Sequence, residues 1–362
     1  VATEISALSR GRPAPPQHPL NIASASRTER PAEPLKGPDL LVPPYTELTT
    51  RQDGPPGSSW HVFDADPERG MANFAGADQV RRAAGLINTG EVFSLDYALN
   101  AFDPPMARAR GVPRHEILSS HAEARDDVLH DFYLQATSQV DGLRHRRASG
   151  HGFYNGIADD LIDVGTPALG IQRWAENPIV GRGVLIDIEG WAAAAGTPLD
   201  HFAGPAISAG ALDDALHDQG TTLEPGDLIL VHTGWANWFL GADNTTRAQV
   251  RDARRSTGFR QALDLPEWLW DNRIALFATD TFAVEVLPVV ADSPFMRTAP
   301  EDRGMMHQEL IAKLGVPLGE LWNLTALIEH SRRTGRWDAF VTVKPLHLTG
   351  GVGSPANATA IR

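Results

Sequence analysis

Residues 208–235, SAGALDDALHDQGTTLEPGDLILVHTGW, carry the alternation that decides the fold class. Ser208 offers an N-cap oxygen ahead of ALDDALHDQG, and Gly220 supplies the stop with which helices commonly end, so 208–219 reads as a helix. After a short loop, residues 227–233 form an apolar, β-branched run bounded by Gly, as buried strands are. The same strand type recurs at 92–95, 183–188, 274–279 and 340–348, with helical patterns at 78–87, 266–271, 305–314 and 321–333. Strands interleaved with helices predict an α/β protein, and no internal repeat of fixed period competes with that reading.

The chain has 362 residues, 42% hydrophobic and 21% charged, enough for a sizeable core. A formal net charge of −13 argues against nucleic acid as a partner, because that binding draws on surplus Lys and Arg to displace counterions. Cysteine is absent, which excludes disulfide scaffolds, thiolate metal sites and cysteine nucleophiles and leaves N and O ligands for any metal. No stretch approaches the roughly 18 apolar residues of a membrane span, and the first residues lack the basic-then-apolar pattern of a secretory signal. A cytoplasmic protein with no membrane partner is expected. Residues 1–58, with GRPAPPQHP, RPAEPLKGP and DGPPGSS, read as an extended Pro/Gly-rich arm that either wraps a neighbour or trails as a tail, and the folded domain is expected over 59–362.

Chemistry concentrates in residues 134–156, LQATSQVDGLRHRRASGHGFYNG. If this chain is extended near Gln139 and Asp141, those two side chains share a face, and a turn at Gly142 can return His145 toward them. An amide, a carboxylate and an imidazole on one arc can bind a divalent cation and move protons. The same letters also spell an Asp-Gly turn followed by a surface histidine, and spacing leaves both readings open. A second candidate is MMHQELIAKLGVPLGELWN, residues 305–323. There a helix carrying His307 and a turn at Gly-Val-Pro can bring His307 to Glu320, or leave both solvated.

Around these, His151, Tyr154 and Asn155 lie in a loop where they either line a pocket or shape the chain. Trp235 and Trp238 follow a strand, where aromatic rings build pockets for flat substrates or simply pack. Asp280 and Glu285 follow the strand at 274–279 with no role evident from sequence. His232, inside an apolar strand, reads as a core histidine. TGGVGSP near His347 lacks the GK[ST] of a phosphate loop, which excludes a nucleotide site of that type.

From about Tyr45 onward the sequence resembles the metal-dependent hydrolase family of kynurenine formamidase, isatin hydrolase and cyclase-type proteins. The matching landmarks, in order, are SSWHVFD, MANFAGADQVRRAAGLINTG, SQVDGLRH with FYNG, GRGVLIDI, LEPGDLILVHTGW, ATDTFAVEVLP, GVPLGELWNL and PLHLTGGVGSPANATAI. The family signature H-x-G-T-H-x-D-x-x-x-H places its Asp on Asp141 and its last His on His145. Its other two His positions fall on Gln135 and Gln139, a departure that the resemblance assigns to a branch with S-Q-x-D-G-L-x-H followed by Y-N-G.

The resemblance implies a single compact α/β domain with a swivelling β/β/α, barrel-like core, assembled as a homodimer or homotetramer. It implies one divalent metal ion held by Asp141, His307 and Glu320 with Gln139 as a further ligand, and His145 as the catalytic acid–base. Oxygen-rich ligands favour Mn2+ and leave Zn2+ as the second choice. His151, Tyr154, Asn155 and Trp235 are then the substrate-binding candidates. The expected reaction is hydrolysis of a small amide or lactone, cyclic or aromatic. A metal-dependent cyclisation or dehydration in a biosynthetic pathway, and a non-catalytic binding protein on the same fold, are the alternatives.

Overall fold

Three apolar runs, IVGRGVLID, LILVH and LFAT, lie side by side as parallel strands with helices over them, which is why they lack polar alternation. The computed structural model describes residues 42–362 apart from Glu301. In chain order the strands are β1 (Val92–Ser94), β2 (Arg114–His121), β3 (Ala124–His130), β4 (Gln139–Asp141), β5 (Ile179–Asp187), β6 (Ala206–Ile207) and β7 (Leu228–His232). They continue as β8 (Gly258–Phe259), β9 (Leu276–Thr279), β10 (Leu318–Glu320), β11 (Asp338–Val343), β12 (Gly353–Pro355) and β13 (Ala358–Ile361).

Nine of these form one sheet in the order β1-β13-β11-β5-β7-β9-β10-β4-β12, parallel from β5 through β10 and antiparallel at both flanks. β12 and β13 stand at opposite ends of that order, yet only Ala356 and Asn357 separate them. Such a link spans about 11 Å of Cα path, whereas in a flat sheet the second and ninth strands would lie about 33 Å apart. The sheet therefore curls until its ends approach, which gives the barrel-like core expected from the resemblance. Asn357, at φ 45°, makes the corner, and Tyr97 after β1 donates its backbone N–H to Ser138 Oγ before β4 at 2.8 Å.

The helix after β6 runs Gly210–Gln219 and buries Ala211, Leu212, Ala215 and Leu216. Gly220 ends it in the left-handed region as expected, but its N-cap is Ala209 and not Ser208. The helix expected over 321–333 begins only at Thr325, because Leu318–Glu320 is spent on β10 and Leu321 turns at φ 56°. The stretch expected as a helix over 305–314 is a π-helical turn, Gln308–Lys313. The strand expected over 340–348 starts at Asp338 and stops at Val343, where the residue before Pro345 ends the ladder. The β2–β3 hairpin was not legible, since RHEILSSH and ARDDVLH carry polar residues on both faces. No helix among the described residues is long and apolar enough to cross a membrane.

Of the arm expected over 1–58, residues 1–41 lie outside the described residues. Its remainder packs on the body, so the boundary at 58 falls inside folded structure. Tyr45 and Leu48 are buried, Tyr45 N–H donates to Asp271 at 2.8 Å, and Trp270 Nε1 donates to the Pro43 carbonyl at 2.8 Å.

Asp187 at the end of β5 ties the sheet to the helix Thr325–Thr334. Arg332 donates to it from Nε at 2.7 Å and Nη2 at 2.9 Å, the Gly190 N–H donates at 2.9 Å, and His232 Nδ1 lies at 3.3 Å. Burial pushes the Asp187 carboxyl up, but the bonds from His232, Arg332 and Gly190 outweigh it and hold the pKa at about 2. A depressed carboxylate stabilises the fold above its unfolded pKa and loses that contribution as pH falls through the folded value. Urea unfolding should therefore show about 2 kcal/mol lost between roughly pH 4 and pH 2. Asp187→Asn should lack that increment, and an unchanged pH slope in the variant would refute the assignment.

Candidate metal centre and active site

Antiparallel pairing of β4 with β10 sets Gln139 opposite Glu320 and Asp141 opposite Leu318. Gln139 and Asp141, two residues apart, share one face, and Glu320 joins them there because directly paired residues point the same way. His307, just before the π-helical turn, completes the group: one ligand atom from each of Asp141, His307 and Glu320 lies within 4.8 Å of the others, and all three residues are buried. His307 Nε2 is 3.2 Å from Glu320 Oε1. The structure thus brings together residues 141, 307 and 320, which sequence spacing alone left open.

Glu285 fixes the ring of His307. It bonds His307 Nδ1, accepts the Met306 N–H at 2.8 Å, and is held by Gln261 Nε2 at 2.8 Å. Ala283 and Val284 precede it at φ 72° and 57°. A β-branched residue in the left-handed region is costly, and the neighbouring contacts must impose it. A carboxylate on one imidazole nitrogen leaves the other facing a cation, the usual support of metal-ligating histidines. Sequence reasoning gave Glu285 no role; its place after a strand was the only signal.

Two carboxylates at close quarters disturb one another. Burial first, and then Glu320, push the Asp141 pKa up to about 6. Burial would drive His307 down, but its bonds to Glu285 and Glu320 raise it to about 10. Burial likewise opposes ionisation of Glu320, and the bond from His307 reverses that and lowers its pKa. Asp141 Oδ2 is buried without a hydrogen-bond partner. An orphaned carboxylate oxygen beside a carboxylate and an imidazole fits a divalent cation of intermediate or hard character.

Gln139 stands differently from expectation. Its Nε2 donates to Glu320 Oε2 at 2.9 Å, and its Oε1 accepts from Arg110 at 3.4 Å, so it turns its amide nitrogen toward the trio and orients Glu320. Gln135 Nε2 donates to Asp141 Oδ1 and lies 3.2 Å from His145 Nδ1. His145 Nε2 is 3.6 Å from Asp141 Oδ2 and accepts from Arg146 Nη1 at 2.8 Å. With its side chain 12% exposed, His145 is more open than Asp141, His307 or Glu320 and lines a cavity of about 380 Å³ with Phe153 and Gln308. Burial, then Arg146, His307 and Arg110, lower its pKa well below the usual imidazole range, so it is neutral.

The expected substrate-binding residues fall elsewhere, and none lines that cavity. His151 is exposed and meets Trp60 edge-on. Tyr154 is fully buried and shares a hydrogen bond with Ser59 Oγ at 3.0 Å. Asn155, at φ 55°, accepts from the His61 N–H and donates to the Pro67 carbonyl, which anchors the loop. Trp235 is buried and stacks on Phe239 at 5.0 Å, a packing role. A second group able to hold a cation, Asp187, Glu189 and His232, is already served by the Arg332 guanidinium.

Residues 92–286, more than half of the chain, match the family model described as "Putative cyclase". No curated protein matches significantly. The crystal structure of a novel cyclase superposes at a TM-score of 0.73 and 29% identity, covering 84% of this chain and 99% of its own. More distantly, an isatin hydrolase bound to the product analogue thioisatinate (TM-score 0.47, 15% identity, 76% and 93% covered) and isatin hydrolase A from Ralstonia solanacearum (0.46, 15%, 78% and 94%) also match. The last two agree too loosely in backbone to bear on the site. Family match and superposition agree, and the chain belongs to the cyclase family.

Proposed function

We propose that the protein is a metal-dependent hydrolase that opens a small amide or lactone, with His145 as its acid–base. The observation that carries this reading is the buried Asp141–His307–Glu320 trio with the unpartnered Asp141 Oδ2, set beside His145, which lines a cavity. When bound there, a divalent cation supplies Lewis acidity, polarising a carbonyl and acidifying water. The two carboxylates and one imidazole suit Mn2+ ahead of Zn2+.

The chain's own residues do the rest. His145, neutral and partly open to the cavity, takes a proton from the attacking water and returns it to the departing nitrogen or oxygen. Gln135 holds Asp141 and lies against the His145 ring, and Arg146 donates to His145 Nε2. Glu285 keeps His307 turned toward the centre, and Gln139 does the same for Glu320. The description of the family and of its 29%-identical relative as cyclases supports a second reading, in which the same proton carrier serves a ring closure with loss of water.

Elemental analysis of purified protein tests the centre. Wild type should carry one equivalent of divalent metal and Asp141→Ala almost none; metal-free wild type would sink both the hydrolytic and the cyclising reading. His145→Ala should retain metal but lower kcat on an aryl lactone such as dihydrocoumarin, or on formanilide, by about 10²–10⁴-fold. Activity surviving that change would remove His145 from the mechanism. Glu285→Gln should weaken metal affinity by about 10–100-fold in a chelator competition, with little change in fold by circular dichroism. Wild-type affinity in that variant would show that Glu285 does not support the ligand.

A further inference from the structure

Beside the His145 cavity lies a second one of about 460 Å³, and the two share Arg146 and Asp302. Among the described residues its wall is apolar, with Leu287, Val289 and Met305, and its charged groups are three arginines, Arg146, Arg254 and Arg303, and the carboxylate of Asp302. That carboxylate faces Arg146 Nε at 3.3 Å. Among the described residues no carboxylate lies within ion-pair distance of Arg254 or Arg303, and both are exposed. Both also hold left-handed backbone, φ 49° and 53°. In each the conformation closes a turn: Arg254 ends the helix Asn244–Asp252, and Arg303 N–H donates to the Pro300 carbonyl, so the two arginines stand at fixed corners of the chain.

A chain of formal net charge −13 repels anions as a whole. Three arginines lining one concavity beside one described carboxylate give it a positive excess that draws anions. Guanidinium groups pair with carboxylates through two parallel hydrogen bonds, and an apolar wall shelters the hydrocarbon to which a carboxylate is attached. Arg146 reaches both ways, to Asp302 on one side and to His145 Nε2 at 2.8 Å on the other. A carboxylate seated among the arginines therefore lies one side chain away from the acid–base group.

We infer that the substrate is itself an anion: a small amide or lactone bearing a carboxylate, which Arg254, Arg303 and Arg146 hold in this cavity with the scissile carbonyl toward His145. This rests on the hydrolytic reading for the reaction, but the binding claim is tested without turnover. Calorimetric titration of the metal-loaded protein would compare cyclohexanecarboxylate with cyclohexanecarboxamide, a neutral probe of nearly the same shape. The carboxylate should bind about tenfold tighter, less so in high salt, and the paired charge reversal Arg254→Glu with Arg303→Glu should erase the preference. Bound metal should stay at the wild-type level in that variant, since neither arginine touches the trio. Equal binding of the two probes by wild type, or a preference that survives the charge reversal, overturns the inference. Loss of the preference with metal and lactone turnover intact in wild type leaves the hydrolytic reading standing, whereas a preference in metal-free protein removes only the reaction.

Discussion

The pairing of β4 with β10 is the constraint on which the site depends. A strand presents alternate side chains to opposite faces, so a slip of one residue would send Gln139 and Asp141 away from Glu320. Two features hold the register. Trp322 Nε1 donates to the Gln139 carbonyl at 2.8 Å, and Ser138 Oγ donates to the Leu321 carbonyl at 2.6 Å, so each strand is clamped by the turn that follows or precedes the other. Gly319 between them admits close approach, since a Cβ there would lie 2.5 Å from Ala278 Cβ and 2.7 Å from the Trp322 ring nitrogen.

That register gathers charge in a buried place. Asp141, Glu320 and His307 are each at most 4% exposed, and buried carboxylates side by side are unfavourable unless a cation or a proton intervenes. The pKa directions record the tension: Asp141 moves up while His307 holds a proton between Glu285 and Glu320. The neighbouring cluster at the ends of β5 and β7 meets the same problem with a resident cation. Arg332 satisfies Asp187 and Glu189 from the chain itself, which leaves a tie between sheet and helix. In one cluster the guanidinium neutralises both carboxylates and leaves only His232 Nε2 without a partner, whereas the other keeps an open carboxylate oxygen, the feature that marks it as the candidate metal centre.

The curled sheet explains why residues so distant in sequence meet. Closure by the two-residue link between β12 and β13 brings β4 and β12 round to the end of β1, where the Tyr97 N–H donates to Ser138 Oγ. His145 then follows the end of β4 and lines a cavity that adjoins the arginine-lined one.

By itself the sequence determined the α/β class, because fully buried parallel strands must be apolar runs, and it determined which residue types were available, because the absence of cysteine leaves histidine and carboxylate. Alternation in Gln139–Asp141 was legible for the same reason: side-chain direction in a strand is a local property. Resemblance pointed to Asp141, His145, His307 and Glu320, and the fold brings them together. Tertiary structure alone decided that Glu285 supports His307, that Gln139 turns its nitrogen toward Glu320, and that Tyr154, Asn155 and Trp235 pack away from the cavity. None of these is a local property. Each depends on what lies across the sheet, which only the closed sheet and its register establish.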